Sequence, residues 1–143
     1  MREDTRASLD AYIRFYETLT PQTVGELRSL VAPEVGFRDP FNDVQGVNAY
    51  ERVLAKMFED LDEPRFEVRH SALEGAIGFL TWRFVYRDKR GRERTIVGMS
   101  ELRFDAEGRV ALHVDHWDAA AQVYEHLPVL GIVLRMIRRR IAA

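Results

Sequence analysis

The hydrophobic period of this chain changes at Pro64, and that change restricts the folds open to it. Before Pro64 apolar residues recur at helical spacing, apart from one short edge strand that ends at Asp39-Pro40, and from Arg65 onward they alternate. Helices first and long neighbouring strands afterwards require the helices to cover one face of a largely antiparallel sheet. Leu9, Tyr12, Ile13 and Tyr16 mark a first helix over about residues 5 to 19, closed by Thr20-Pro21. Thr23 and Glu26 have the spacing of a capping box for a short second helix, with Val24, Leu27, Leu30 and Val31 inward and Pro33 as its stop. Asn48 with Glu51 is placed to cap a third, whose stripe of Tyr50, Val53, Leu54, Met57, Phe58 and Leu61 ends before Pro64.

In the second half, Phe66, Val68, His70 and Ala72 alternate with Glu67, Arg69 and Ser71, the pattern of a half-buried strand. Turn signals at Glu74-Gly75, at Asp88-Lys-Arg-Gly91 and at Asp105-Ala-Glu-Gly108 divide the remainder into three more strands, ending at Trp117. Trp82, Phe84 and Tyr86 share one face and Arg83 and Arg87 the other, while Ile96, Gly98, Ser100, Leu102 and Phe104 oppose Glu101 and Arg103. One face is therefore core and the other is wet or an interface, here a homodimer contact through the open sheet face. After Asp118 an alanine-rich helix begins, Pro128 interrupts it, and an apolar stretch ends in Arg135, Arg138, Arg139 and Arg140. The expected product is an α+β cone: a curved antiparallel sheet wrapped around N-terminal helices, with an extra C-terminal helix and a cavity.

Composition narrows the function classes. A chain of 143 residues, 46% hydrophobic and 31% charged, fits one compact domain spanning residues 1–143. A formal charge of -2 gives no signature of nucleic-acid binding. The absence of cysteine removes disulfides, thiolate nucleophiles and thiolate metal sites, and suits the cytoplasm. The charged N-terminus reads neither as a signal peptide nor as a membrane span.

Asp39 stands between Phe37 and Phe41 and directly before Pro40, where a carboxylate is costly to desolvate unless something pairs with it or uses it. It is the candidate general base, and the alternative is an Asx-type cap of the following turn. His113 and Asp115 are two apart on a strand and so share a face, where the carboxylate can fix the imidazole tautomer; the alternative is cross-strand pairing with Arg83 or Arg103. His116 and Asp118 form a second such pair facing the other way. Two same-face ligands do not complete a metal shell, so no metal is assigned. Tyr16, Trp82, Phe84 and Tyr86 make either an aromatic wall for a flat apolar ligand or plain core, with Trp117 beside Asp115. The C-terminal helix is too short to span a bilayer and reads as a lid or dimer contact, with contact to a membrane surface as the other option.

The order of elements, with Phe-Arg-Asp-Pro at 37 to 40 and His-Val-Asp-His-Trp-Asp at 113 to 118, resembles the nuclear transport factor 2-like superfamily and within it the SnoaL-like group. That group includes ketosteroid isomerase, limonene epoxide hydrolase and polyketide cyclases, so the resemblance implies a cystatin-like cone and cofactor-independent acid/base chemistry on an apolar small molecule. It also implies roles. Asp39 matches the base of ketosteroid isomerase, whose tyrosine and strand-acid positions fall on Phe15, beside Tyr16, and on Ser100. Asp115 matches an acid that activates water in the epoxide hydrolase, whose arginine and aspartate positions hold Trp82 and Phe84. The superfamily also contains non-catalytic binding and interaction modules, which is the alternative function.

Overall fold

The computed structural model describes residues 2–123 and 128–142. Helix α1 (Arg2–Glu17) buries Leu9, Tyr12, Phe15 and Tyr16, a three-to-four-residue spacing that turns all of them to one side. It starts and stops earlier than its apolar pattern implies. At its end the Thr18 hydroxyl bonds the Arg14 carbonyl at 2.6 Å.

The expected second helix is a single 3-10 segment, Val24–Ser29, and its capping box does not form. Thr23 Oγ1 accepts instead from the Thr20 amide at 2.9 Å, so Thr23 closes the preceding turn rather than opening the helix. Val31 and Pro33 belong to strand β1 (Val31–Arg38). Pro33 is tolerated because it falls where the pairing of β1 is irregular, between Val31 and Gly36. Strand β2 (Asp43–Gln45) folds back on β1 and leads into helix α2 (Val47–Asp60), which buries Tyr50 and Leu54. Asn48 and Glu51 do not cap α2, whose N-cap is Gly46 at φ 95°. They hold Arg28 instead, with Arg28 Nε 2.8 Å from Glu51 Oε1, which ties the 3-10 helix to α2.

Strands β3 (Asp62–Glu74), β4 (Ile77–Arg87), β5 (Glu93–Phe104) and β6 (Val110–His116) form the meander. The six strands lie in the order β2-β1-β6-β5-β4-β3, antiparallel except for the parallel pair β1 and β6. A bulge between Val68 and His70 breaks the expected alternation of β3. Phe66 and Val68 pack on the core, but past the bulge the faces exchange: His70 and Ala72 are exposed and Leu73 packs inward. The amide of Val68 is taken by Glu17 Oε2 at the end of α1.

The two later hairpins repeat one design. Asp88 Oδ1 accepts from the amides of Arg90 and Arg92, and Asp105 Oδ1 from those of Glu107 and Arg109, with glycines at φ 75° and 77° where the turn goes left-handed. After β6, helix α3 (Ala119–Gln122) is shorter than the alanine run suggested, and Asp118 caps it by accepting the Ala121 amide at 2.9 Å. The rest of that expected helix, residues 124–127, lies outside the described residues, as do the side chains of Val129 and Leu130. Helix α4 (Pro128–Ile141) follows. No helix among the described residues is long and apolar enough to cross a membrane.

The concave side of the sheet holds Val35, Phe37, Leu80, Trp82, Phe84, Ile96, Leu102 and Phe104 against α1 and α2. The outer side carries the ion pairs of Arg65, Arg83 and Arg103 with Glu67, Glu93 and Glu101, and exposes Val97 and Met99.

Candidate functional site

Five elements deliver one chain of polar groups into this apolar interior. On β6, His113 and Asp115 point the same way because strand side chains repeat every two residues. Ser100 on β5 is the register partner of Asp115, and the Ser100 hydroxyl donates to Asp115 Oδ1 at 2.5 Å. Trp82 on β4 donates its indole N–H to Ser100 Oγ at 2.8 Å. It reaches there because its own register partner is Gly98: a Cβ at that position would come within 2.7 Å of the indole. From the other side, Tyr12 and Tyr16 descend from α1 one turn apart, and Tyr50 comes from α2. The Tyr12 hydroxyl lies 2.7 Å from His113 Nδ1 and 2.5 Å from the Tyr50 hydroxyl. The Tyr50 hydroxyl also contacts that of Tyr16 and lies 3.2 Å from His113 Nδ1. His113 Nε2 is 2.6 Å from Asp115 Oδ1.

Chemistry orients this chain. A carboxylate only accepts, so His113 Nε2 carries a hydrogen and donates to Asp115; in that tautomer Nδ1 accepts from Tyr12. Tyr50 then donates to Tyr12 and Tyr16 to Tyr50, and every donor finds an acceptor. The donors run from both sides toward one carboxylate oxygen. Burial pushes the phenols of Tyr12, Tyr16 and Tyr50 well above their ordinary range, so all three remain protonated donors.

Two spaces meet at Asp115. The inner one is a small pocket of about 20 Å³, bordered by Tyr16, Phe66, Trp82, Ser100, His113 and Asp115. That is room for one water molecule. The outer one is an open groove of about 570 Å³, bordered by Arg38, Asp39, Pro40, Asp115, Trp117 and Asp118. Among the described residues no group of three or more His, Asp or Glu side chains is arranged to hold a metal.

The structure brings Tyr16, Trp82, Ser100, His113 and Asp115 together. Arg83 and Arg103, the alternative partners for the strand pair, bond Glu67 and Glu101. His116 is exposed and Asp118 is a helix cap, so the second pair is not assembled. Phe84 stacks on Phe66 at 4.6 Å within the core, outside the inner pocket, and Tyr86 stacks on Phe84. Trp117 stands at the outer groove, edge-on to Phe41 at 5.4 Å. Asp39 borders the same groove, but its Oδ1 accepts the amides of Phe41 and Asn42, both at 2.7 Å, and Asn42 Nδ2 spans both of its oxygens. Its carboxylate is engaged in a turn and does not reach the inner pocket.

Tyr12 and Tyr50 stand in the sequence only as apolar-stripe residues, and the one signal for them is that a phenol on a buried helical face needs a partner for its hydroxyl. Gly98 gave no signal of its own.

The fold has counterparts among solved structures. A nuclear transport factor 2-like protein of unknown function from Burkholderia pseudomallei K96243 superposes with a TM-score of 0.70 at 14% identity, covering 98% of each chain. A limonene epoxide hydrolase-like epoxide hydrolase of M. tuberculosis gives 0.68 at 10% identity over 99% of this chain and 98% of that one. TerC, co-crystallised with polyporic acid, gives 0.71 at 14% identity over 82% and 94%. No curated protein sequence matches. At these identities the likeness defines the fold, the nuclear transport factor 2-like α+β cone with its curved six-stranded sheet. The profile of the SnoaL-like domain matches residues 12–113, and the chain belongs to that family. Its members include cofactor-independent isomerases, cyclases and epoxide hydrolases.

Proposed function

We propose that this chain performs acid/base chemistry on a small apolar molecule, with Asp115 as the proton acceptor. The observation that carries this reading is the convergence of Ser100 Oγ and His113 Nε2 on Oδ1 of a carboxylate that borders both cavities. Among the described residues no hydrogen bond engages the second oxygen, Oδ2. Two donors on one oxygen fix the carboxylate's orientation and leave the other oxygen to take a proton from a carbon acid or from a water molecule. The electron pair of the broken bond stays on the substrate or on the attacking oxygen. Tyr16 and Ser100 border the pocket, but their hydroxyl protons are given to Tyr50 and Asp115, so they orient the network rather than donate to developing negative charge. Proton transfer of this kind needs no cofactor. Asp39, the acid first suggested by its setting between two phenylalanines, serves here as a rim residue of the outer groove, and the base role passes to Asp115.

A second reading, a non-catalytic ligand-binding module, is favoured by the sizes of the two spaces. Drug-sized ligands fill several hundred Å³, which the outer groove of about 570 Å³ offers away from the buried network, whereas the inner pocket holds about 20 Å³. A thermal-shift screen of wild type and Asp115→Asn against enones, epoxides, terpenoids and polycyclic aromatics separates the two. Saturating ligand at about a hundred times its Kd adds about 2.7 kcal/mol of stability. A hit that is turned over by wild type and bound without turnover by Asp115→Asn supports the enzyme. A hit bound equally by both and never turned over supports the module.

A further inference from the structure

Helix α4 contains four arginines, Arg135, Arg138, Arg139 and Arg140, and no acidic residue. It also carries five of the eight large apolar side chains exposed among the described residues: Ile132, Val133, Met136, Ile137 and Ile141, between 47% and 79% exposed. The exposed apolar surface is thus concentrated in one helix. At about 100° per residue these five side chains fall within about half the circumference. Gly131 is buried on the other side and Leu134 is half-buried at the edge of the arc beside Ile141, which marks the face set against the body. A helix of this length is marginal in water by itself, and burial of its apolar side is what would stabilise it.

We propose that α4 docks this protein on an anionic lipid surface, lying in the plane of the interface. Charge selects this occupant. A second copy of the helix would set its arginines against the same arginines, whereas anionic headgroups neutralise Arg139 and Arg140, at the edge of the apolar arc and within it, while the aliphatic side chains enter the acyl boundary. The helix is too short to span, and Arg140, within the apolar arc, has a stem long enough to carry its charge to the headgroups. Arg138 Nη2 lies 3.7 Å from Asp118 Oδ2, and Asp118 borders the outer groove. Docking therefore brings that groove close to a phase in which apolar molecules dissolve. This last consequence rests on the function proposed above; the docking itself does not.

The test is co-flotation of the full chain with phosphatidylcholine vesicles, with and without phosphatidylglycerol. Binding to the anionic vesicles is expected to be tighter by about tenfold or more and to weaken with added salt. Ile137→Asp, Ile141→Asp and the pair Arg139→Glu with Arg140→Glu each remove binding while the melting temperature stays unchanged, because these side chains are exposed. Equal binding to neutral and anionic vesicles, or no binding to either, overturns the proposal. So does a dimer in sedimentation velocity that Ile137→Asp dissolves without any vesicle binding. Capture by polyglutamate that is unaffected by Ile137→Asp overturns it as well, in favour of an acidic polypeptide.

Discussion

Tyr50→Phe removes one oxygen atom and tests whether the buried phenols act as a network. The Tyr50 hydroxyl is the centre of the cluster: it contacts Tyr16, lies 2.5 Å from the Tyr12 hydroxyl and 3.2 Å from His113 Nδ1. Without it Tyr12 keeps its bond to His113, but the buried Tyr16 hydroxyl loses the hydrogen-bond partner it has. Stranding one buried hydroxyl costs about 1–3 kcal/mol, so a loss of about 2 kcal/mol is expected. In a domain of this size that lowers Tm by about 6 °C. Tyr16→Phe strands nothing, because Tyr50 retains both Tyr12 and His113, and about 0.5–1 kcal/mol is expected. Urea unfolding of both variants measures the difference, with the slope on denaturant unchanged. Tyr50→Phe as stable as wild type, or Tyr16→Phe the more damaging of the two, would refute the arrangement.

Other consequences follow from the same geometry. Gly98→Ala drives a Cβ to 2.7 Å from the Trp82 ring and 2.9 Å from the His116 carbonyl, and is expected to cost about 1–3 kcal/mol and to shift the indole N–H resonance as Trp82 leaves Ser100. The folded-state pKa values of Tyr12, Tyr16 and Tyr50 are raised above an ordinary value of 10.0, so their stabilisation is complete below that pH and is lost as pH rises beyond it. Unfolding free energy measured against pH should hold steady as pH approaches about 10 and then fall, more shallowly in Tyr50→Phe; a profile identical in the two proteins contradicts the assignment. Val97→Glu with Met99→Glu, on the exposed outer sheet face, should convert a dimer to monomer in sedimentation velocity, and a wild-type monomer would dismiss that contact.

Much of this fold was legible because its signals are local. The change of period at Pro64, the phenols on α1 and the Asp-x-x-Gly turns each act within a few residues, and each became the element expected. The helix caps failed for a tertiary reason: Arg28 drew Asn48 and Glu51 away from the start of α2, and Gly46 took the cap. The face of His70 failed because a bulge has no sequence mark, and this one is supported by Glu17 from another element. The site divided along the same line. His113 and Asp115 could be paired from their spacing alone. The attachment of Asp115 to Ser100 depended on strand register, and the placing of Asp39 depended on which groups Asn42 and Phe41 offered it. Both acids sit among aromatic residues in the sequence, and the fold engages Asp39 in a turn while it orients Asp115 across two cavities.

Turnover of the first ligand converted by wild type decides whether Asp115 is the working base proposed above. Asparagine preserves the acceptor oxygen for Ser100 and His113, so Asp115→Asn should fold and bind while losing about 10²–10⁴ in kcat. Asp39→Asn, which keeps an acceptor for the amides of Phe41 and Asn42, should stay within about tenfold of wild type. Undiminished turnover in Asp115→Asn, or a collapse confined to Asp39→Asn, would take the base role away from Asp115.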